Sequence, residues 1–235
     1  MKKEHFQIRG IPSILWGEPS KNLYLFIHGQ AGCKEEAESF AEIAGCYGWQ
    51  VLSMDLPEHG ERKMEKNTFD PWHTVPELLT VMEYAKSHWN RIALRANSIG
   101  AWFSMVSLSN ENLESCLFVS PILDMQQVIY NMMAWAGVSE DRLRLEQTIP
   151  TSFGQTLSWE YLSYVKKHPI AKWCFPTKIL YGEKDNLTER SIIENFTRNF
   201  GCSLTVMENG EHWFHTPEQL QFLDKWTKSS FENIE

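Results

Sequence analysis

The sequence predicts an α/β protein: a mostly parallel, doubly wound sheet with a small helical cap inserted after its sixth strand. Three observations carry this. Short runs such as Leu23–Ile27 and Ser115–Val119 are strand-length and almost wholly apolar, as strands covered on both faces must be. Longer stretches with apolar residues at helical spacing separate them, and such alternation builds parallel strands joined by crossover helices. Nearly every run then breaks at a Gly-, Pro- or polar-rich turn, at the strand end where such sheets bind ligands.

Phe6 and Ile8, then Ile11, Ile14, Leu15 and Trp16, form two short strands around the turn at Gly10-Ile11-Pro12. The third strand, Leu23–Ile27, ends at His28-Gly29-Gln30-Ala31-Gly32. A helix follows from about Glu35 to Tyr47, with Ala37, Phe40, Ala41 and Ala44 inward. The fourth strand, Gln50–Met54, runs into the turn-rich segment Asp55–Arg62. Pro76–Trp89 is a helix with proline near its first turn. The fifth strand centres on Ile92–Leu94 and leads into a buried helix to Leu108. The sixth ends at Ser120-Pro121. Residues 122–173 do not alternate; rich in Met, Trp, Tyr and Leu, they read as helical pieces of one inserted cap on a core made of 1–121 and 174–235. Strand Thr177–Tyr181, helix Glu189–Phe200, strand Ser203–Met207 and helix Pro217–Trp226 close the chain.

Composition narrows the function. The 235 residues carry a formal charge of −8 and a pI near 5.5, which disfavours nucleic acid or an anionic membrane as partner. Lys2-Lys3 and Lys166-Lys167-His168 are isolated solvated faces. No run approaches the roughly 18 apolar residues of a spanning helix, and the N-terminus lacks the apolar core of a signal peptide. Cys33, Cys46, Cys116, Cys174 and Cys202 are odd in number and scattered, without a Cys-x-x-Cys pair, so neither zinc nor a disulfide framework is indicated. Cys116 and Cys174, in apolar runs, are expected as core thiols, and a reducing cytoplasm is the expected setting. No His-x-x-x-His or carboxylate cluster suggests a metal, and no cofactor is expected.

The stretch Ala96-Asn97-Ser98-Ile99-Gly100 places one serine where a strand turns into a helix, with small residues two positions away on each side. That is the pattern of a nucleophile elbow, in which a sharp turn exposes the hydroxyl and small neighbours let strand and helix pass closely. The usual first glycine is Ala96. Ser98 as the N-cap of a helix is the competing reading, and the rest of the chain must decide between them.

With these motifs in order, the chain resembles an α/β-hydrolase over nearly its full length. The resemblance rests on His28-Gly29-Gln30-Ala31-Gly32 after the third strand, Asp55-x-Pro-x-His-Gly-x-Arg62 after the fourth, the Ser98 elbow, Gly182-Glu183-Lys184-Asp185 after the seventh and Gly210-Glu211-His212 after the last. Small esterase, lipase and peptidase-like members are the most similar. The family order of nucleophile, acid and histidine implies Ser98, Asp185 and His212. His215 competes with His212, and Asp124, after the sixth strand, is the alternative acid. The oxyanion hole is implied at the backbone N–H groups of Ile99 and Gln30, with Ala31 second to Gln30; Gly29 would supply a tight turn at positive φ. The Asp55–Arg62 segment braces the site in the family, and Glu58 there replaces a common glycine. His28, His59, His73, His88 and His168 have structural readings. Met132, Met133, Trp135, Phe153, Trp159, Tyr161 and Tyr164 of the cap could line an apolar or aromatic pocket, or pack the cap onto the core.

The implied activity is hydrolysis of a small carboxylic ester, thioester or amide through an acyl-enzyme on Ser98. A small-molecule substrate is the expected partner, and oligomeric state is left open. A non-catalytic protein of the same fold that binds a ligand or partner is the alternative, kept open by Ala96 and Glu58. Among enzymes the alternative is a proline-type aminopeptidase.

Overall fold

A computed structural model describes residues 1–232. The strands are β1 (Lys3–Ile8), β2 (Ile11–Trp16), β3 (Asn22–Ile27), β4 (Gln50–Met54), β5 (Arg91–Asn97), β6 (Cys116–Val119), β7 (Thr148–Pro150), β8 (Thr156–Ser158), β9 (Thr177–Gly182) and β10 (Ser203–Met207). Eight of them form one sheet in the order β1-β2-β4-β3-β5-β6-β9-β10. The β1–β2 and β2–β4 pairs are antiparallel and every later pair is parallel. β5 lies inside the sheet between β3 and β6, so the residue that follows it emerges at the middle of the carboxyl edge.

The strand sequences explain why the sheet is covered twice. Successive side chains of a strand point to opposite faces. In β3, Leu23, Leu25 and Ile27 enter one core, while Tyr24 and Phe26 enter the other. The first core is closed by α2 (Pro71–His88), α3 (Ile99–Leu108) and α7 (Arg190–Phe200). The second is closed by α1 (Glu38–Cys46) and α8 (Pro217–Glu232). Arg95 is the exception to the apolar rule. It points from β5 into the second core, its guanidinium 5.7 Å from the Phe40 ring and 5.8 Å from that of Trp226. Burial pulls its pKa down to about 9, with the nearby Tyr24 and Glu36 opposing the shift.

Three expectations change. The second helix starts at Pro71 rather than Pro76, because Asp70 caps it: its carboxylate accepts the His73 N–H at 2.8 Å, with proline in the first turn. Pro76 then lies inside the helix. The inserted segment is not wholly helical. It contains α4 (Met125–Ala136), α5 (Glu140–Glu146) and α6 (Trp159–Lys167), but β7 and β8 form an antiparallel hairpin between α5 and α6. Ile149 and Leu157 pair with each other and are buried, while their strand neighbours are more exposed. That is a period of two in runs too short to stand out from the surrounding aromatics. Third, Cys116 is buried as expected but Cys174 is exposed. The core residue at that point is its neighbour Trp173, whose indole packs 5.7 Å from Phe118 and 4.9 Å from Phe175. Among the described residues no helix is long and apolar enough to cross a membrane.

Trp173 therefore pins the returning end of the insertion to the sheet, with its Nε1–H donating to Thr177 Oγ1 at 2.8 Å. Trp173→Ala should destabilise the fold by about 3–5 kcal/mol, the cost of emptying a buried indole site, and Trp173→Phe by clearly less. Urea unfolding followed by far-UV circular dichroism measures both; equal midpoints for wild type and Trp173→Ala would refute the assignment.

Candidate active site

Ser98 joins β5 to α3 with φ 49° and ψ −123°, a backbone conformation that non-glycine residues rarely hold. Such strain costs of order 1–3 kcal/mol and persists only when the surroundings impose it. The imposing contacts are backbone ones. Ser98 N–H donates to the Val119 carbonyl at 3.0 Å, and the Ser98 carbonyl accepts from Ala101 and Ile122, each at 3.1 Å. A Cβ on Gly100 would lie 2.4 Å from the His28 carbonyl oxygen and 2.8 Å from that of Ile27. Only glycine lets the first turn of α3 pass the end of β3 there. Ala96, the departure from the usual pattern, lies fully buried in β5 between Ile27 and Phe118. Ser98 occupies the N-cap position of α3, but its side chain caps nothing. Its Oγ lies 2.8 Å from His212 Nε2.

His212 and Asp185 come from two loops that cross closely. A Cβ on Gly182 would meet the Glu211 carbonyl oxygen at 2.4 Å, and one on Gly210 would meet Gly182 Cα at 3.1 Å. Lys184 N–H donates to the Gly210 carbonyl at 2.7 Å across this crossing. Asp185 Oδ2 then lies 2.7 Å from His212 Nδ1, while Oδ1 accepts the Leu187 and Thr188 N–H groups at 2.8 and 3.0 Å. The Asp185 side chain is wholly shielded from solvent. A carboxylate so held requires the proton on Nδ1 and leaves the Nε2 lone pair to the serine hydroxyl. His215 stands apart, its Nδ1 2.8 Å from the Trp213 carbonyl and its ring exposed. Asp124 caps α4, accepting the Gln127 N–H at 2.9 Å. Neither joins Ser98.

The oxyanion hole is expected at the Gln30 and Ile99 amides, and Gln30 follows Gly29, which packs against Ser98. Ile99 opens α3, where leading N–H groups lack a helical partner. Ala31, the second choice, donates its N–H to His59 Nε2 at 2.9 Å and is thereby committed. The expectation of positive φ at Gly29 does not hold: Ala31 takes it, at 62°. Gly29 is needed for proximity instead, because a Cβ there would lie 3.1 Å from Ser98 Cβ. Glu58, where a glycine is common, has φ 64°, and its Oε1 accepts the Thr68 and Phe69 N–H groups at 2.6 and 3.1 Å.

The cap aromatics divide. Tyr161 stacks on Trp102 of α3 at 5.9 Å and meets Trp72 of α2 at 6.1 Å, which docks α6 onto the core. Trp135 and Phe153 face solvent and contact each other, so they line no enclosed pocket. Met133 is buried in the core. Outside this site, His5, Glu35 and Glu61 bring three possible metal-ligand atoms together on the surface. The Lys34 ammonium already lies 3.1 and 2.8 Å from the two carboxylates.

His28, beneath the site, is fully buried, and burial lowers its pKa from 6.5 to about 4 against the opposing pull of its bond to the Gly29 carbonyl. Between those values the unfolded chain binds a proton at this residue that the folded chain refuses. Its contribution to stability is whole above pH 6.5 and is lost as pH falls through about 4, a change on the order of 3 kcal/mol. Urea unfolding near neutral pH and near pH 4 should show a smaller acid loss for His28→Gln than for wild type; equal losses would refute this.

No protein-family model and no curated protein sequence matches the chain. Solved structures do. Est1E from Butyrivibrio proteoclasticus with ferulic acid bound superposes with a TM-score of 0.78 at 18% identity, over 97% of this chain and 98% of that one. Alpha/beta hydrolase domain-containing protein 10 from mouse gives 0.77 at 10% identity, over all of both chains. The Pyrococcus furiosus esterase Pf2001 gives 0.68 at 16% identity, over 98% and 90%. At these identities the likeness is one of architecture: the chain has the α/β-hydrolase fold.

Proposed function

We propose that this chain is a serine hydrolase cleaving a small carboxylic ester, thioester or amide through an acyl-enzyme on Ser98. The observation that carries this is the unbroken line from Asp185 through His212 to a strained serine whose side chain caps nothing. Ser98 Oγ attacks the substrate carbonyl as His212 Nε2 takes its proton. Asp185 holds the ring and stabilises the imidazolium. The tetrahedral oxyanion accepts from the Gln30 and Ile99 N–H groups, dipoles already in place before charge develops. Collapse breaks the bond to the leaving alcohol, thiol or amine, which receives the proton from His212. Water, deprotonated by the same nitrogen, then releases the acid and restores Ser98.

Ester chemistry is favoured within this class, since the similar structures include the esterase Pf2001 and Est1E with ferulic acid, an aromatic carboxylic acid, bound. The two sequence departures that kept a binding-only reading open lose their force. Ala96 fits within the sheet, and Glu58 holds its turn with its own carboxylate.

A fluorophosphonate probe should label Ser98 alone, with the adduct located by peptide mass spectrometry. Ser98→Ala should lower p-nitrophenyl ester hydrolysis by at least ~10⁴-fold. An adduct elsewhere, or a Ser98→Ala variant as active as wild type, would sink the proposal. Rates across acyl chain lengths and against amino-acid anilides would then rank esters over amides.

A further inference from the structure

Gln30 sits between two anchored peptide planes, and a histidine bonds to each; the Gly29 carbonyl also accepts the Gly32 N–H at 3.2 Å. The loops that follow β3 and β4 lie side by side. His28, from the first, has Nδ1 2.7 Å from its own loop's Gly29 carbonyl and accepts at Nε2 the Leu56 N–H of the other loop at 3.0 Å. His59, from the second, has Nδ1 2.7 Å from its own Pro57 carbonyl and accepts at Nε2 the Ala31 N–H of the first loop at 2.9 Å. The two rings are 5.2 Å apart. Each loop thus lends the other one imidazole acceptor.

The consequence falls on Gln30. A peptide unit is planar and trans, so its C=O and N–H point in opposite directions. The Gly29 carbonyl and the Gln30 N–H belong to one such unit. Holding the carbonyl at His28 Nδ1 turns the Gln30 N–H the other way, in a segment whose Gly29 leaves only 3.1 Å between a would-be Cβ and Ser98 Cβ. The next unit contains the Ala31 N–H, which His59 holds. That bond also sustains Ala31 at φ 62°, a left-handed conformation that costs an alanine energy. Each ring faces one carbonyl and one N–H, and only a neutral imidazole carrying its proton on Nδ1 satisfies both. Burial keeps His28 in the neutral form. The surroundings are built to hold the rings: Phe69 packs 4.5 Å from the His59 ring, and the Glu58 carboxylate fixes the Phe69 amide. The buried Lys34–Asp55 pair, at 2.7 Å, ties the same two loops a second time.

We propose that His28 and His59 form a reciprocal clasp that aims the Gln30 amide, with His59 a positioning residue for the oxyanion hole rather than a packing residue. This rests on the serine hydrolase reading, in which the Gln30 N–H receives the developing charge.

The test has two independent readouts. Long-range ¹H–¹⁵N spectra of the wild-type protein should show both rings as neutral Nδ1–H tautomers, and the Ala31 amide should exchange slowly. His59→Leu should lower kcat for p-nitrophenyl esters by roughly 10- to 100-fold, approaching the loss of an oxyanion donor, with KM within about twofold and with faster Ala31 exchange. His59→Gln, whose side-chain oxygen can accept the Ala31 N–H, should recover a large part of kcat. An Nε2–H tautomer at either ring overturns the clasp, whatever the activity. So does a His59→Gln variant no better than His59→Leu, or a His59→Leu variant with wild-type kcat. If His59→Leu does not fold, the tautomers and the His59→Gln rates still decide. Wild-type protein that neither hydrolyses esters nor labels at Ser98 would instead remove the hydrolase reading, and the aiming role with it, while leaving the tautomer result to stand as a fact of the fold.

Discussion

One steric constraint governs the site: the first turn of α3 must pass the carboxyl end of β3 with no side chain between them. A methyl group on Gly100 would intrude to 2.4 Å on the His28 carbonyl oxygen. Because that contact is backbone to backbone, no rotamer change relieves it. The close passage forces the turn at Ser98 into its strained conformation and brings Gly29 against the serine. A second passage of the same kind, Gly182 against Glu211, brings the Asp185 and His212 loops together. Both are permitted by missing side chains, and backbone hydrogen bonds fix the geometry: Ser98 to the Val119 carbonyl at the first and Lys184 to the Gly210 carbonyl across the second. The side-chain hydrogen bonds of the site then select tautomer and direction within that frame.

Strain follows the same map. Eight described non-glycine residues have positive φ, and five of them, Ala31, Glu58, Ser98, Ser120 and Asn209, lie just beyond the carboxyl ends of β3, β4, β5, β6 and β10. That is the edge where parallel sheets bind ligands. Each costs something locally, and each is held by identifiable bonds: Ala31 by His59, Glu58 by its own carboxylate to two amides, Ser98 and Ser120 by the Val119 and Leu180 carbonyls, and Asn209 by Glu183. Strain gathered at one edge and restrained from several elements is what a preorganised site requires. The same pattern explains why the bracing loop needs a buried ion pair. Lys34 and Asp55 would be costly alone in the interior. Here Asp55 also accepts the Lys34 and Glu61 amides, at 2.9 and 3.0 Å, so its charge is satisfied on every side.

What was legible in the sequence was whatever one strand or one turn determines alone. The apolar runs located the strands because burial on both faces demands them, and the small residues around Ser98 located the elbow because close passage demands those. Ser98, Asp185 and His212 were identified from their order along a resemblance, and the structure brings their side chains within hydrogen-bonding distance. What stayed hidden needed a partner far away in the chain. Nothing near Gly29 says whether it serves a positive φ or a neighbouring serine 69 residues on; it serves the serine. The β7–β8 hairpin was masked because each strand is only three residues long, too short for an alternation to register against its setting. Cys174 and Trp173 sit in one apolar run, and only the return path of the insertion decides which of them faces the core. His28 and His59 look like ordinary turn residues until the two loops are laid together.

The insertion is tied to this frame at two points. Its aromatic residues do two different things. Tyr161 stacks on Trp102, one helical turn beyond Ser98, so the cap is registered to the helix that Ser98 precedes. The root of the insertion is registered too, since Ile122 donates its N–H to the Ser98 carbonyl at 3.1 Å. Two attachments to one short segment leave little freedom between cap and serine. Trp135 and Phe153, on α4 and the hairpin turn, instead pack on each other in solvent. On the hydrolase reading, a change in the outward pair should therefore leave the distance between Ser98 and His212 intact, while a change at Tyr161 acts on the helix next to the serine.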